Sequence, residues 1–311
     1  MNRKTACVLV SASALLAGAA MAQQAAAPAA PPAPNFAAVQ IKATDLGNRT
    51  WELEGQGGNI TVVVGDDAVI MVDTQFAPLH DKIKAAVAEI APGKPIRYVI
   101  NTHLHGDHTG GNQAFWLDGA TVVATANLKK SLAEGTTNAL SGAKTPPAPQ
   151  GAQPGRTYTG RTTVSVKGRT VQLTAMPTAH TRGDTSVWIS DANVLATGDI
   201  VSWGMRYPNV DVGDGGDIDG IVKAVDAFIA RSNARTKIVP GHGAVMTRAD
   251  LVTYRKLLVD ARAAVAKAKA AGQTEDQVVE AKPLAGDVQT RAGANDQASV
   301  NFVRLIYRSV G

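Results

Sequence analysis

The sequence has almost no cysteine, few aromatics and little net charge, and each shortage excludes something. A single cysteine, Cys7, in 311 residues leaves no disulfide framework and no cysteine-based zinc site. With 31 Lys and Arg against 26 Asp and Glu, the formal charge is only +5, too little for a basic surface that would hold nucleic acid. No apolar run reaches the ~18 residues that cross a bilayer, so a multi-span membrane protein is excluded. Aromatics are 5%, yet hydrophobic residues reach 45%, and a chain of this length buries a sizeable core without covalent staples.

The N-terminus reads as an address. Arg3 and Lys4 precede an apolar stretch, Ala6–Ala20, and Ala20-Met21-Ala22 forms a small-x-small triplet. This is the three-part pattern of a secretory signal peptide over residues 1–22, with cleavage after Ala22. It predicts a periplasmic or secreted protein with no membrane association after cleavage. Cleavage also removes the only cysteine, which leaves the chain indifferent to an oxidising compartment. Residues 23–38, rich in Ala, Pro and Gln, are expected to form a flexible leader. The main domain is expected over 39–271, with a helical C-terminal tail, 272–311, packing on it.

Within the domain, short runs rich in Val, Ile and Thr alternate with helical periodicities. Val39–Ala43, Thr50–Glu54, Asn59–Val64, Ala68–Val72, Ile96–Ile100 and Thr121–Ala124 predict strands, as do Thr163–Val166, Thr170–Ala175, Ser186–Ile189, Val194–Ala196 and Lys237–Val239. Asp81–Ile90 predicts a helix with Ile83, Ala86, Val87 and Ile90 on one face, and a short helix is expected near Asn127–Leu132. Ile221, Val225 and Phe228 mark another helix face, and Leu251, Tyr254, Leu258, Ala261 and Val265 a longer one. Gly135–Thr157 carries four prolines and no periodicity; a loop of that length is either a functional lid or disordered.

The two halves echo one another. A strand ends in Asp at Asp73 and again at Asp199, and each is followed by a helix and a strand that runs into histidine, at His103 and His242. Two similar β-rich halves predict two sheets packed face to face and covered outside by helices, an α/β fold of the αββα sandwich type.

Three of the six histidines lie within six residues, in His103-Leu104-His105-Gly106-Asp107-His108. In extended backbone, residues two apart point the same way, so His103 and His105 can grip one metal. Gly106 lets the chain turn, after which Asp107 and His108 can face a second metal. His180 lies in Ala179-His180-Thr181-Arg182-Gly183-Asp184, Asp199 follows a glycine at a strand end, and His242 sits between Gly241 and Gly243. One histidine in such a setting is usually structural; five at strand ends beside Gly or Asp are not. His80 has no such company and reads as a helix-end or surface residue.

These motifs, as an ordered series from about Thr50 to Leu258, resemble the metallo-β-lactamase superfamily. The resemblance implies an αββα sandwich with a dinuclear metal site at one edge. It implies that His103, His105 and His180 hold one metal, that Asp107, His108 and His242 hold the second, and that Asp199 bridges them. Asp73 would orient a ligand histidine from outside the coordination shell. All donors are nitrogen or oxygen, which suits two Zn²⁺ and leaves Fe or Mn open. Two such ions bring the pKa of a shared water down to around neutral, giving a hydroxide that attacks a carbonyl while Asp107 orients it and shuttles a proton.

Fold alone does not settle the substrate. Lactamases with a cysteine where Asp199 stands do not fit. Glyoxalase II and the tRNA-processing nuclease of the superfamily work in the cytoplasm, against the signal peptide, and flavodiiron oxidoreductases usually carry Glu where His105 stands. The expectation is therefore an exported dizinc hydrolase acting on a small molecule, with β-lactam opening as the leading reaction. The alternative is a lactonase or other ester or thioester hydrolase. An iron-dependent persulfide dioxygenase built on His103, His180 and Asp199 would leave Asp107, His108 and His242 without a role. Trp203, Met205 and Tyr207 follow Asp199 and either wall an apolar substrate pocket or pack under the next helix. Arg182, beside His180, is a candidate partner for a substrate carboxylate. Gly213–Asp217 is read as a turn and helix N-cap rather than a calcium loop. The oligomeric state is not legible.

Overall fold

The computed structural model describes residues 34–176, 178–204, 207–284, 286 and 296–311. The expected signal peptide, most of the expected leader, and Met205 lie outside them. Residues Phe36–Gly311 form one compact unit.

Its strands and helices follow in the order β1 Lys42–Gly47, β2 Thr50–Glu54, β3 Ile60–Val64, β4 Val69–Val72, α1 His80–Ile90, β5 Ile96–Ile100, α2 Gly106–Thr109, α3 Asn112–Leu117, β6 Thr121–Thr125 and α4 Ala126–Glu134. Then come β7 Thr136–Thr137, β8 Lys144–Thr145, β9 Arg156–Tyr158, β10 Arg161–Val166, β11 Arg169–Met176, β12 Asp184–Ile189, β13 Val194–Ala196, α5 Ile218–Arg231, β14 Lys237–Val239, α6 Arg248–Ala270, α7 Glu275–Glu280 and α8 Asp296–Ser309. Among the described residues, one sheet has seven strands in the order β1-β2-β3-β4-β5-β6-β9, a second has five in the order β10-β11-β12-β13-β14, and β7 pairs with β8 in a separate ribbon.

Side-chain alternation builds the layers. In β4, Ile70 and Val72 join the cluster between the sheets, whereas Val69 and Met71 point outward to Ile83 and Val87 of α1 and Phe115 of α3. In β13, Val194 and Ala196 point inward, whereas Leu195 meets Ile221 and Val225 of α5 and Leu258 of α6. The result is helix, sheet, sheet, helix. The last helix completes the outer layer: Phe302, Val303, Leu305 and Ile306 of α8 are buried in the same cluster as α5 and α6.

Two expectations are corrected. The first strand begins at Lys42 rather than Val39, because Phe36–Ala38 forms a short 3-10 turn whose carbonyls accept from Lys82 Nζ. The register of β1 is set instead by its hairpin with β2, where Asn48 and Arg49 both have positive φ, the twist a two-residue hairpin turn requires. Gly135–Thr157 is also not one structureless loop. It holds the β7–β8 ribbon and runs into β9, which joins the first sheet parallel to β6. The Gly213–Asp217 stretch is a short 3-10 turn followed by Asp217 as the N-cap of α5, its carboxylate accepting from Gly220 N.

Candidate metal centre

The parallel strands β4 and β5 of one sheet and β13 and β14 of the other end at the same edge of the sandwich. Beyond those ends the chain places Asp73, then Thr102–His108, then Asp199, then His242; His180 enters from the β11–β12 connection. Two groups result. Ligating atoms of His103, His105, His180 and Asp199 lie within 4.8 Å of one another, as do those of Asp107, His108 and His242. Asp199 lies between them. One of its oxygens is 3.1 Å from His108 Nε2, and the other is 3.5 Å from His242 Nε2 and 3.9 Å from the Nε2 atoms of His103 and His180.

Four rings are oriented by a partner on the nitrogen that faces away from the cluster. Thr102 Oγ1 donates to Asp73 Oδ2 at 2.7 Å, so its oxygen is left to accept from His103 Nδ1 at 3.0 Å. His108 Nδ1 donates to Asp73 Oδ2 at 2.8 Å. His180 Nδ1 donates to the Asn209 carbonyl at 2.7 Å. His105 is reversed: its Nε2 donates to Asp211 Oδ2 at 2.9 Å, so Nδ1 faces inward. These contacts fix the tautomers and turn one lone pair of each ring toward the cluster.

That donor set fits divalent metal. His103 Nε2 has no hydrogen-bond partner although the ring is 1% exposed; a buried nitrogen left so is costly. His105 Nδ1 and His180 Nε2 face one another at 3.1 Å, each tied through its other nitrogen to an acceptor. A shared cation satisfies both lone pairs, and imidazole with carboxylate oxygen is a donor set that zinc accepts.

The electrostatics call for positive charge in the cluster. Burial works against the His242 cation, but Asp107 and Asp199 hold its pKa up to about 9. His108, opposed by burial, is raised well above its ordinary value by Asp199 and Asp73. Burial opposes the His105 cation too, but Asp211 raises it in the same sense. Burial and the neighbouring His108 keep His103 well below its ordinary value, and burial with the nearby His105 brings His180 down to about 4. Asp199 is buried, which opposes ionisation, yet His108 and His103 hold its carboxyl well below the usual range.

The backbone is shaped to allow this closeness. Asp73 has φ +66, a conformation side chains rarely adopt, held by hydrogen bonds from Thr102 N and Thr102 Oγ1 to its carboxylate. A Cβ at Gly58 would sit 2.0 Å from His108 Cε1, and one at Gly241 would sit 1.9 Å from Asp199 Oδ1. The Gly-rich turn after β2 therefore runs against the cluster.

Of the remaining candidates, Trp203 adjoins the cluster through its backbone, its N donating to the His242 carbonyl at 2.9 Å. Tyr207 stacks on Phe302 with ring centroids 5.4 Å apart, and Trp203 packs edge-on to Tyr254. Both therefore lie against the helical layer. Arg182 Nε is 3.0 Å from Asp214 Oδ1, and its side chain borders a separate cavity of about 360 Å³ with Asn127, Tyr158 and Ala175. His80 begins α1, between Asp81 and Asp118 and against Phe115. Sequence reasoning missed Asp211, Asn209 and Thr102. Thr102 adjoins the motif and carried a local signal; Asn209 and Asp211 lie in a non-periodic loop with none.

The sequence profile of the metallo-beta-lactamase superfamily matches residues 53–261. A metallo-beta-lactamase from Pontibacter korlensis superposes with a TM-score of 0.58 at 18% identity, covering 71% of this chain and 100% of that one. A stereoselective inverting sec-alkylsulfatase, Pisa1 from Pseudomonas sp., gives 0.63 at 15% identity, over 86% of this chain and 50% of its own. These likenesses show the fold. A 2,4-dinitroanisole O-demethylase subunit alpha from Nocardioides sp. is 27% identical over 161 residues, 51% of this chain and 46% of that protein. The match thus spans less than half the length of that relative.

Proposed function

Because the chain belongs to the metallo-beta-lactamase superfamily, we propose that it is an exported dizinc hydrolase that opens a cyclic amide of the β-lactam type. The observation that carries the reading is the convergence of five imidazoles and two carboxylates at one sandwich edge, in two groups joined by Asp199. His103, His105 and His180 would hold one ion, Asp107, His108 and His242 the other, and Asp199 both. When bound, the ions supply a water of near-neutral pKa and an electrophile for the substrate oxygen.

The protein's own groups do the rest. Asp73, Asp211, Thr102 and Asn209 hold the rings so that nothing reorganises during turnover. His103, His108 and His180 are buried and exclude bulk water from the floor of the site. Asp107 is the more open of the two carboxylates: its side chain is 25% exposed against 11% for Asp199, with Oδ2 3.1 Å from His242 Nε2. It can take a proton from the attacking water and pass it to the leaving nitrogen. Burial opposes its ionisation, but His242 and His108 keep its carboxyl below the usual range, so it stands as the carboxylate. The signal pattern of residues 1–22 supports export.

A second reading rests on the dinitroanisole-demethylating relative: hydrolysis at an activated aryl ether. A substrate panel separates the two. The purified chain is expected to open a chromogenic cephalosporin and to leave 2,4-dinitroanisole intact. Turnover of the ether without cephalosporin opening reverses the order. Activity confined to lactones or thioesters overturns both.

A further inference from the structure

We propose that the C-terminal helix α8 positions the first group of metal ligands, acting through Phe302 and Ser309. The inference rests on the metal reading above. It concerns a helix that lies beyond the stretch matched to the superfamily, which ends at residue 261.

Phe302 stacks on Tyr207 with an interplanar angle of 23°. Tyr207 opens the loop that serves two ligands at once. Asn209 accepts from His180 Nδ1, Asp211 accepts from His105 Nε2, and Asp211 N donates to the His180 carbonyl at 2.9 Å. The ring stack therefore bears on the segment that aims both histidines.

Ser309, in the last turn of α8, reaches the same ligands by another route. Its Oγ accepts from Ile218 N at 2.8 Å and donates to Asp217 Oδ2 at 3.2 Å, clamping the start of α5. Asp217 N in turn donates to the Ala179 carbonyl at 2.8 Å, next to His180. There is no slack in this contact. A Cβ at Gly220 would sit 1.6 Å from the Thr178 carbonyl oxygen, and one at Gly216 would sit 2.2 Å from that of His180. A shift of the α5 start must shift the backbone of 178–180. Arg308 extends the brace by donating to the Ala139 carbonyl of the β7–β8 ribbon, whose Thr137 carbonyl abuts Gly213.

The second group hangs mainly from other elements, tied toward the helical layer by the His242 carbonyl, which accepts from Trp203 N at 2.9 Å. His108 is held by Asp73 at the end of β4, and His242 follows β14, where Asn59 donates to the Pro240 and Gly243 carbonyls. Loosening α8 should therefore weaken one group and spare the other.

The test is Zn²⁺ affinity, measured on the full exported chain by competition with a chromogenic chelator. In a His242→Ala background, only the group of His103, His105 and His180 is complete; in a His105→Ala background, only the other is. Phe302→Ala is expected to weaken zinc roughly tenfold in the first background, the lower end of the range for lost outer-shell support, and to leave the second unchanged. Ser309→Ala, a gentler change, should act in the same direction and keeps the test open if Phe302→Ala does not fold. Val87→Ala, in α1 on the opposite face, supplies a buried packing loss remote from both groups and should leave both affinities unchanged. Equal losses in both backgrounds, no loss in the first, or the same loss from Val87→Ala would overturn the proposal. A wild-type chain that takes up no zinc would overturn the metal reading itself, and this inference with it.

Discussion

Asp211 Oδ2 lies 2.9 Å from His105 Nε2 although 106 residues separate them in sequence. The contact reverses His105 relative to His103, His108 and His180, which turn Nε2 toward the cluster. The carboxylate sets the tautomer and makes the inward Nδ1 more basic. Asp211→Ala is expected to lower zinc affinity ten- to a hundredfold, read by chelator competition. An unchanged affinity would mean that His105 is held by its own rotamer alone.

Asp107 is the half-buried carboxylate of the second group and the proposed proton carrier. Asp107→Asn keeps an oxygen donor but cannot accept a proton. At zinc content matched to wild type, kcat is expected to fall by roughly 10²–10⁴ while KM moves little. Steady-state kinetics alongside elemental analysis reads this directly. Normal turnover at full metal content would remove Asp107 from the chemistry.

Glu52 gives a pH dependence away from the metal ligands. It stands in β2 opposite Thr61, is 2% exposed, and its Oε1 has no hydrogen-bond partner. Burial, then the nearby Glu54, pushes its carboxyl up to about 7. A folded-state pKa raised above the ordinary 4.5 means that the stability contribution is complete below that pH and is lost as pH rises through about 7. Glu52→Gln removes the loss. The stability of the variant relative to wild type should rise by about 2–3 kcal/mol between pH 5 and pH 9, measured by urea unfolding at each pH. A difference that stays flat with pH contradicts the assignment.

The sandwich was legible because its strands carry their period in the sequence. Ile70 and Val72 face one way, Val69 and Met71 the other, and short Val- and Ile-rich runs mark each strand. The clustering of His103, His105, Asp107 and His108 was legible for a similar reason: spacing inside one short motif translates directly into geometry. Asp211 was not, because its role depends on where a loop without periodicity returns after a long excursion. The helices α2 and α3 escaped as well; at four and six residues they are too short to show a period. The start of β1 was misplaced because an edge strand that is mostly exposed carries little pattern, and its register comes from the Asn48-Arg49 turn.

Metal content and chelator sensitivity together decide whether the seven proposed ligands hold two metal ions that perform hydrolysis. The most direct measurement is a metal count on the purified chain combined with hydrolysis of a chromogenic cephalosporin, before and after a chelator. About two zinc ions per chain are expected, with ring opening that the chelator abolishes and added Zn²⁺ restores. One iron per chain, or hydrolysis indifferent to the chelator, would contradict the dizinc reading.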